Sequence, residues 1–181
     1  MLFVDIARAL LDIIGSLLVG VLLLRCWATF IGMPARNPLA HFSRVLTDWL
    51  VRPLARLVPG RGRGRVEWAA LLAALLLSFA IIVLKVMVVG QSLAWDLVLI
   101  ESLRQLLNWA LSLVIWVTLI YVIISWVNPL APVAPALSML LRPLLAPIQR
   151  ILPVLGGIDL SPMVLLIIVY VLQMVVARVV I

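Results

Sequence analysis

Residues Leu137 to Met163 read LSMLLRPLLAPIQRILPVLGGIDLSPM, an apolar segment broken by Pro143, Pro147 and Pro153, closed by Gly156-Gly157, and led by Ser161-Pro162 into the last hydrophobic run of the chain. A coarser copy lies 94 positions earlier. Under that shift Pro53, Arg56 and Pro59 fall on Pro147, Arg150 and Pro153, Pro38 falls on Pro132, and Trp68 falls on Pro162. Matching proline spacing is the mark of a duplicated unit, so the chain reads as two repeats, 1–90 and 91–181.

Each copy brackets its proline-broken segment between two hydrophobic stretches. The spans are expected at about 6–28 and 67–88 in the first repeat, and at about 105–127 and 162–181 in the second. The segments between them lie at about 38–59 and 132–153. Two spans per copy is an even number, so the repeats share one orientation and are parallel. The expected fold is an all-α membrane protein of four transmembrane helices, with an amphipathic, proline-broken cytoplasmic helix inside each repeat.

Composition agrees. The 181 residues are 66% hydrophobic with a mean hydropathy of +1.31, well above the roughly half-apolar usage of soluble domains. The formal charge is +7, but the excess is concentrated between Arg25 and Glu67, where eight arginines face only Asp48 and Glu67. Nucleic acid is therefore not the expected partner. The same asymmetry marks that loop as cytoplasmic, whereas the connection from Val86 to Gln105 carries Asp96, Glu101 and a single arginine. Both repeat loops are expected inside and both termini outside, in a bacterial cytoplasmic membrane. The start MLFVDIARALLDIIG lacks the basic opening and cleavage site of a signal peptide, so the first span is expected to be retained.

Polar residues in the spans are few. Asp12, Ser16 and Gly20 share a helix face, which places Asp12 either against protein or near the outer headgroups. Arg25 beside Trp27 marks an interface, and Lys85 is expected to snorkel. Ala70, Ala74 and Ser78 mark a close helix contact, and Glu101 and Arg104 an i, i+3 pair. Asn108, Tyr170 and Gln173 are the remaining interior polar groups, and a lone Gln points to a helix-packing hydrogen bond. Ser161 is expected to cap the last helix, with Pro162 its first residue and Asp159 adding negative charge at its positive end.

The segments between spans have their own periodicity. Leu39, Phe42, Val45, Leu46, Trp49 and Leu50 form one apolar face, and Leu137, Leu140, Leu141, Leu144, Leu145 and Ile148 the other. His41, Arg44, Asp48 and Arg52, or Ser138, Arg142 and Gln149, lie opposite. Pro53, Pro143 and Pro147 are expected to kink or end these helices. Surface anchoring and a docking or re-entrant role both fit. Arg61, Arg63 and Arg65, interleaved with glycine, are expected to fix topology and touch anionic lipid.

Catalytic signatures are absent from the sequence: it has no Walker loop, no His-Glu-x-x-His and no Cys-x-x-Cys. Cys26 is alone and His41 has no ligand-spaced neighbour, so no enzyme activity, metal or cofactor is expected.

The run Leu144-Leu145-Ala146-Pro147-Ile148-Gln149-Arg150-Ile151-Leu152-Pro153, followed by Gly156-Gly157-Ile158-Asp159-Leu160-Ser161-Pro162, resembles the signature of the YggT family of integral membrane proteins. Arg25-Cys26-Trp27, Ser125-Trp126 and Asn37-Pro38 stand where that family has related motifs. The first repeat departs from the pattern, with Gly60 to Arg65 in place of the turn and Trp49 in place of a proline. The resemblance implies roles in cell division, membrane-complex assembly or osmotic tolerance. One reading is then a scaffold for other membrane proteins, presenting Arg142, Pro147, Arg150, Pro153, Gly156, Gly157, Asp159, Ser161 and Pro162. The other is a small channel or transporter subunit using Asp12, Asn108, Tyr170 and Gln173. Expected partners are the bilayer with its anionic lipids, other membrane proteins, and further copies of the chain.

Overall fold

Apolar runs in lipid must satisfy their backbone hydrogen bonds internally, which long helices do. The computed structural model describes residues 2–57, 66–90, 94–152 and 159–178, and every regular element among them is an α-helix. In order these are α1 (Leu2–Phe30), α2 (Pro38–Leu57), α3 (Trp68–Val89), α4 (Trp95–Val127), α5 (Ala134–Ile151) and α6 (Ser161–Arg178). Four of them, α1, α3, α4 and α6, are long and apolar enough to cross a membrane. The sequence long helix, shorter proline-containing helix, long helix thus occurs twice. With 33 residues α4 is about 50 Å long against a hydrocarbon core of about 30 Å. Its first turns hold the charged residues Asp96, Glu101 and Arg104.

The helix ends explain themselves. Asn37 caps α2 by accepting the Leu39 N–H on its side-chain oxygen at 3.0 Å, and Pro38 follows at the first helical position, where a missing N–H costs nothing. Beyond α3, Gly90 adopts φ +73 and returns its N–H to Met87, a left-handed cap that favours glycine.

Packing joins α1 to α2, α3 and α4, and α4 to α5 and α6, with α3 and α4 in contact between them. Ala70, Ala74 and Ser78 are fully buried, so the small stripe of α3 does lie at a close helix contact. Ser78 Oγ donates to the Ser102 carbonyl of α4 at 2.8 Å. At Gly15 the fit is tighter still: an added Cβ would sit 2.6 Å from Ile81 Cδ1 and 3.0 Å from the Trp109 ring, both buried. Gly15→Leu should therefore lower stability by about 1–3 kcal/mol through overpacking, outweighing the gain of about 1 kcal/mol from replacing a helical glycine. Thermal unfolding in detergent measures this, and an unchanged midpoint counts against the three-helix contact.

The two shorter helices are seated differently. In α5 the apolar face turns inward, with Leu137, Leu140, Leu141 and Leu145 buried. In α2 the expected face is turned outward instead: Phe42, Val45, Leu46 and Trp49 are exposed, while Ala40, Ser43, Thr47 and Val51 are buried. Ser43 and Thr47 tolerate this because their hydroxyls donate to the Ala40 and Ser43 carbonyls. Small side chains also let α2 approach the neighbouring helices closely. Lipid is as apolar as a protein core, so the greasy face has no reason to prefer the inside.

Both helices continue through their prolines, so of the expected kink or end the prolines do not end them. Pro53, Pro143 and Pro147 all lie on exposed faces. The carbonyl that each deprives of a donor is then accessible to outside groups, and the penalty of an interior proline is reduced.

Candidate functional site

The densest polar cluster is built on Arg25, the residue that the sequence placed at an interface. It does not snorkel outward. Near the end of α1 its side chain turns inward, only 7% exposed, and engages α2 and the start of α3. Nε and Nη2 donate to Glu67 Oε1 at 2.9 and 2.7 Å, at the start of α3. Nη1 donates to Thr47 Oγ1 at 2.9 Å and Asp48 Oδ1 at 2.8 Å, both on α2. Thr29, one turn on, donates to the other Glu67 oxygen at 3.1 Å, and Arg52 pairs with Asp48 from outside. Burial alone would push the Asp48 carboxyl up, but the hydrogen bonds and charge of Arg25, joined by Arg52, hold it below its ordinary value. All three guanidinium nitrogens are occupied, so this cluster fixes the angle of α2 against α1 and α3.

At the other end of the bundle Lys85 pairs with Asp12 across α3 and α1, in place of the expected snorkel. Glu101 pairs with Arg104 on α4, the i, i+3 contact foreseen. Below them a cavity of about 570 Å³ runs along the α1–α4 seam, with Asp12, Ser16, Gly20 and Asn108 among its lining. Gln173 of α6 donates to Ser112 Oγ at 2.8 Å and reaches the Asn108 carbonyl at 3.4 Å, a helix-packing contact. Tyr170 is 60% exposed on the outer side of α6, apart from this group.

The turn residues separate. Asp159 Oδ1 accepts the Ser161 N–H at 2.9 Å and Oδ2 accepts Gln149 Nε2 at 2.8 Å, tying the end of α5 to the start of α6. Burial would raise its carboxyl, yet hydrogen bonds from Ser161 and Gln149 hold it below its ordinary value. The cap of α6 is thus the Asp159 carboxylate rather than the Ser161 hydroxyl, which has no hydrogen-bond partner among the described residues. The carbonyl that opens the helix belongs to Leu160, so Ser161 already stands inside it and its side chain is carried into the core. Pro162 is also buried, whereas Arg142, Pro147 and Arg150 lie exposed along α5. Pro153, Gly156, Gly157, Arg61, Arg63 and Arg65 fall outside the described residues. Asp159 and Leu160 border a second cavity of about 670 Å³ with Ser125 and Trp126, so two of the motif pieces share one surface. Among the described residues no three His, Cys, Asp or Glu side chains converge on a metal-sized site.

Sequence reasoning passed over Glu67, Thr47, Ser112 and Gln149 as partners. A usable signal existed for the first, since Glu67 and Arg25 are opposite charges at the same end of consecutive spans.

The chain matches the CCB3/YggT family over residues 4–88 and again over 100–180. It is 39% identical to the YggT protein of Escherichia coli (strain K12) over 173 residues, covering 94% of this chain and 88% of that protein. A Vibrio alginolyticus protein is 32% identical over 162 residues, covering 87% and 86%, and one from Haemophilus influenzae 33% over 147, covering 81% and 77%. No solved structure matches. With four membrane-spanning helices and both segments matched, the chain belongs to the CCB3/YggT family.

Proposed function

We propose that the protein is a non-catalytic scaffold or assembly factor of the bacterial cytoplasmic membrane. In this reading it is two parallel repeats with α2 and α5 on the cytoplasmic side and both termini outside. The single observation that carries it is α2: a helix locked from behind by Arg25 that presents Phe42, Val45, Leu46 and Trp49 outward. A rigidly mounted apolar ridge suits a docking surface for other membrane proteins. Arg44 and Arg52 on its flank, with Arg61, Arg63 and Arg65, would contact anionic lipid. The exposed Arg142, Pro147 and Arg150 of α5 and the Asp159 turn would extend the same surface.

The second reading, a channel or transporter subunit, draws on the α1–α4 cavity with Asp12 and Asn108 in its wall. Against it, Asp12 is paired with Lys85 and Gln173 is spent on helix packing. A photo-crosslinker at Phe42 in native membranes should capture discrete membrane-protein partners, and liposomes of the pure protein should pass no ions. Lipid-only crosslinks together with an ion flux that Asp12→Asn abolishes would replace the scaffold with the channel.

A further inference from the structure

We propose that two copies of this chain meet along the α1–α4 seam, about a two-fold axis parallel to the membrane normal that sets their Asn108 side chains against each other. The cavity of about 570 Å³ in that seam is lined on α1 by Asp12, Ser16 and Gly20 and on α4 by Gln105, Asn108 and Trp116. On α1 it extends from Asp12 to Leu24, about 18 Å at 1.5 Å per residue. Those bounds lie on either side of the middle of the span Val4–Phe30, so the seam crosses the bilayer midplane instead of ending within one leaflet.

Polarity at that depth selects the occupant. Asn108 adjoins Trp109, whose ring lies against Gly15 near the middle of the α1 span. The Asn108 backbone carbonyl accepts from Gln173, but among the described residues its side-chain amide has no hydrogen-bond partner, nor has that of Gln105 one turn before it. An amide facing hydrocarbon is costly until it is bonded, and acyl chains carry neither donor nor acceptor. The hydrogen-bonding parts of a lipid stay with its headgroup, far from this depth. A second copy brings what is missing. The two-fold axis puts each residue level with its own counterpart, and a carboxamide is self-complementary, so each Asn108 donates from Nδ2 and accepts on Oδ1. Shape fits as well. Ser16 and Gly20 are small, and a Cβ at Gly20 would meet nothing within 4 Å, while Ile13 and Leu17 stand exposed beside them as side chains to enter the other copy's seam. A two-fold contact needs both kinds on one patch, since the same surface is groove and ridge. Of the described lining residues only Asp12 is charged, and Lys85 pairs with it, so the approach brings no unpaired like charges together.

The test places full-length chains carrying donor or acceptor fluorophores in phosphatidylglycerol–phosphatidylcholine vesicles and follows energy transfer as the protein-to-lipid ratio falls. Transfer should trace a monomer–dimer equilibrium. Asn108→Leu should weaken it about tenfold, the scale of a reciprocal pair of interhelical amide bonds, whereas Asn108→Gln, which keeps the carboxamide, should stay within about threefold of the parent. Gly20→Leu fills the seam and should weaken pairing at least as far as Asn108→Leu. Neither position has a side-chain partner within one copy, so both variants should keep the thermal midpoint of the dilute, monomeric chain in detergent. In native membranes treated with a thiol oxidant, Asn108→Cys in a Cys26→Ser background should give a disulfide-linked pair of this chain, while Tyr170→Cys, on the outer side of α6, should not. The proposal is overturned if the chain stays monomeric at every ratio, or if Asn108→Leu and Gly20→Leu pair as the parent does, which puts the contact on another face. It is overturned equally if Asn108→Cys links to a different protein and not to a second copy, which makes the occupant a foreign helix. None of these outcomes involves Phe42 on α2, so failure here leaves the scaffold reading standing.

Discussion

Arg25→Met should cost the folded chain about 3–5 kcal/mol, the usual penalty for deleting one partner of a buried ion pair. The methionine fits the space but leaves Asp48 with Arg52 alone, Glu67 with the Thr29 hydroxyl alone, and Thr47 Oγ1 with no donor facing it. Two carboxylates at the junction of α1, α2 and α3 would then have to protonate or swing outward, and either response loosens α2. Arg25→Lys should fall between, since one ammonium cannot span Nε, Nη1 and Nη2 positions that serve two helices. The informative control is the triple variant Arg25→Met, Asp48→Asn, Glu67→Gln. With no charge stranded, it should recover much of the loss, because the penalty lies in the unpaired charges rather than in the missing bridge. Denaturant titration in mixed micelles, read by α-helical signal, gives all three values. If the single and triple variants are equally unstable, the cluster is held by packing and not by charge.

How far such a cluster can be read from sequence depends on what kind of pattern announces it. The four spans were legible because apolar runs of bilayer length have no other stable use in water, and α2 and α5 because their apolar residues follow the helical period. Neither signal says which way a helix faces once lipid is available. Leu140 and Leu141 went inward and Phe42 and Trp49 outward on equally good periodicity, since only the partners of Thr47 and Asp48 decided the matter. Those partners are 22 and 23 residues away on another helix. Lys85 is a similar case: a long cationic stem near a helix end snorkels unless an anion lies within reach, and Asp12 is 73 residues off. The Ser161 hydroxyl failed as a cap for a local reason, because Asp159 takes the first helical N–H instead.

The seating of α2 yields the second large effect, and two substitutions six residues apart should give opposite results. Ser43 is fully buried against the bundle, so Ser43→Leu forces three extra carbons into a close helix contact and should lower stability by about 1–3 kcal/mol, displacing Thr47 and Asp48 from Arg25 with it. Trp49 is 66% exposed on the other side of the same helix. Trp49→Glu removes no core contact and should leave the thermal midpoint in detergent within about 0.5 kcal/mol of the parent. In the membrane, however, it puts a carboxylate into the ridge that is proposed to dock partners, and crosslinks from Phe42 to other proteins should disappear. Periodicity alone groups Trp49 with the apolar face of α2 and leaves open whether that face meets the bundle or the membrane. Should Trp49→Glu unfold the protein while Ser43→Leu is tolerated, α2 is rotated by half a turn from the orientation described, and the docking ridge along with the Arg25 geometry falls together with it.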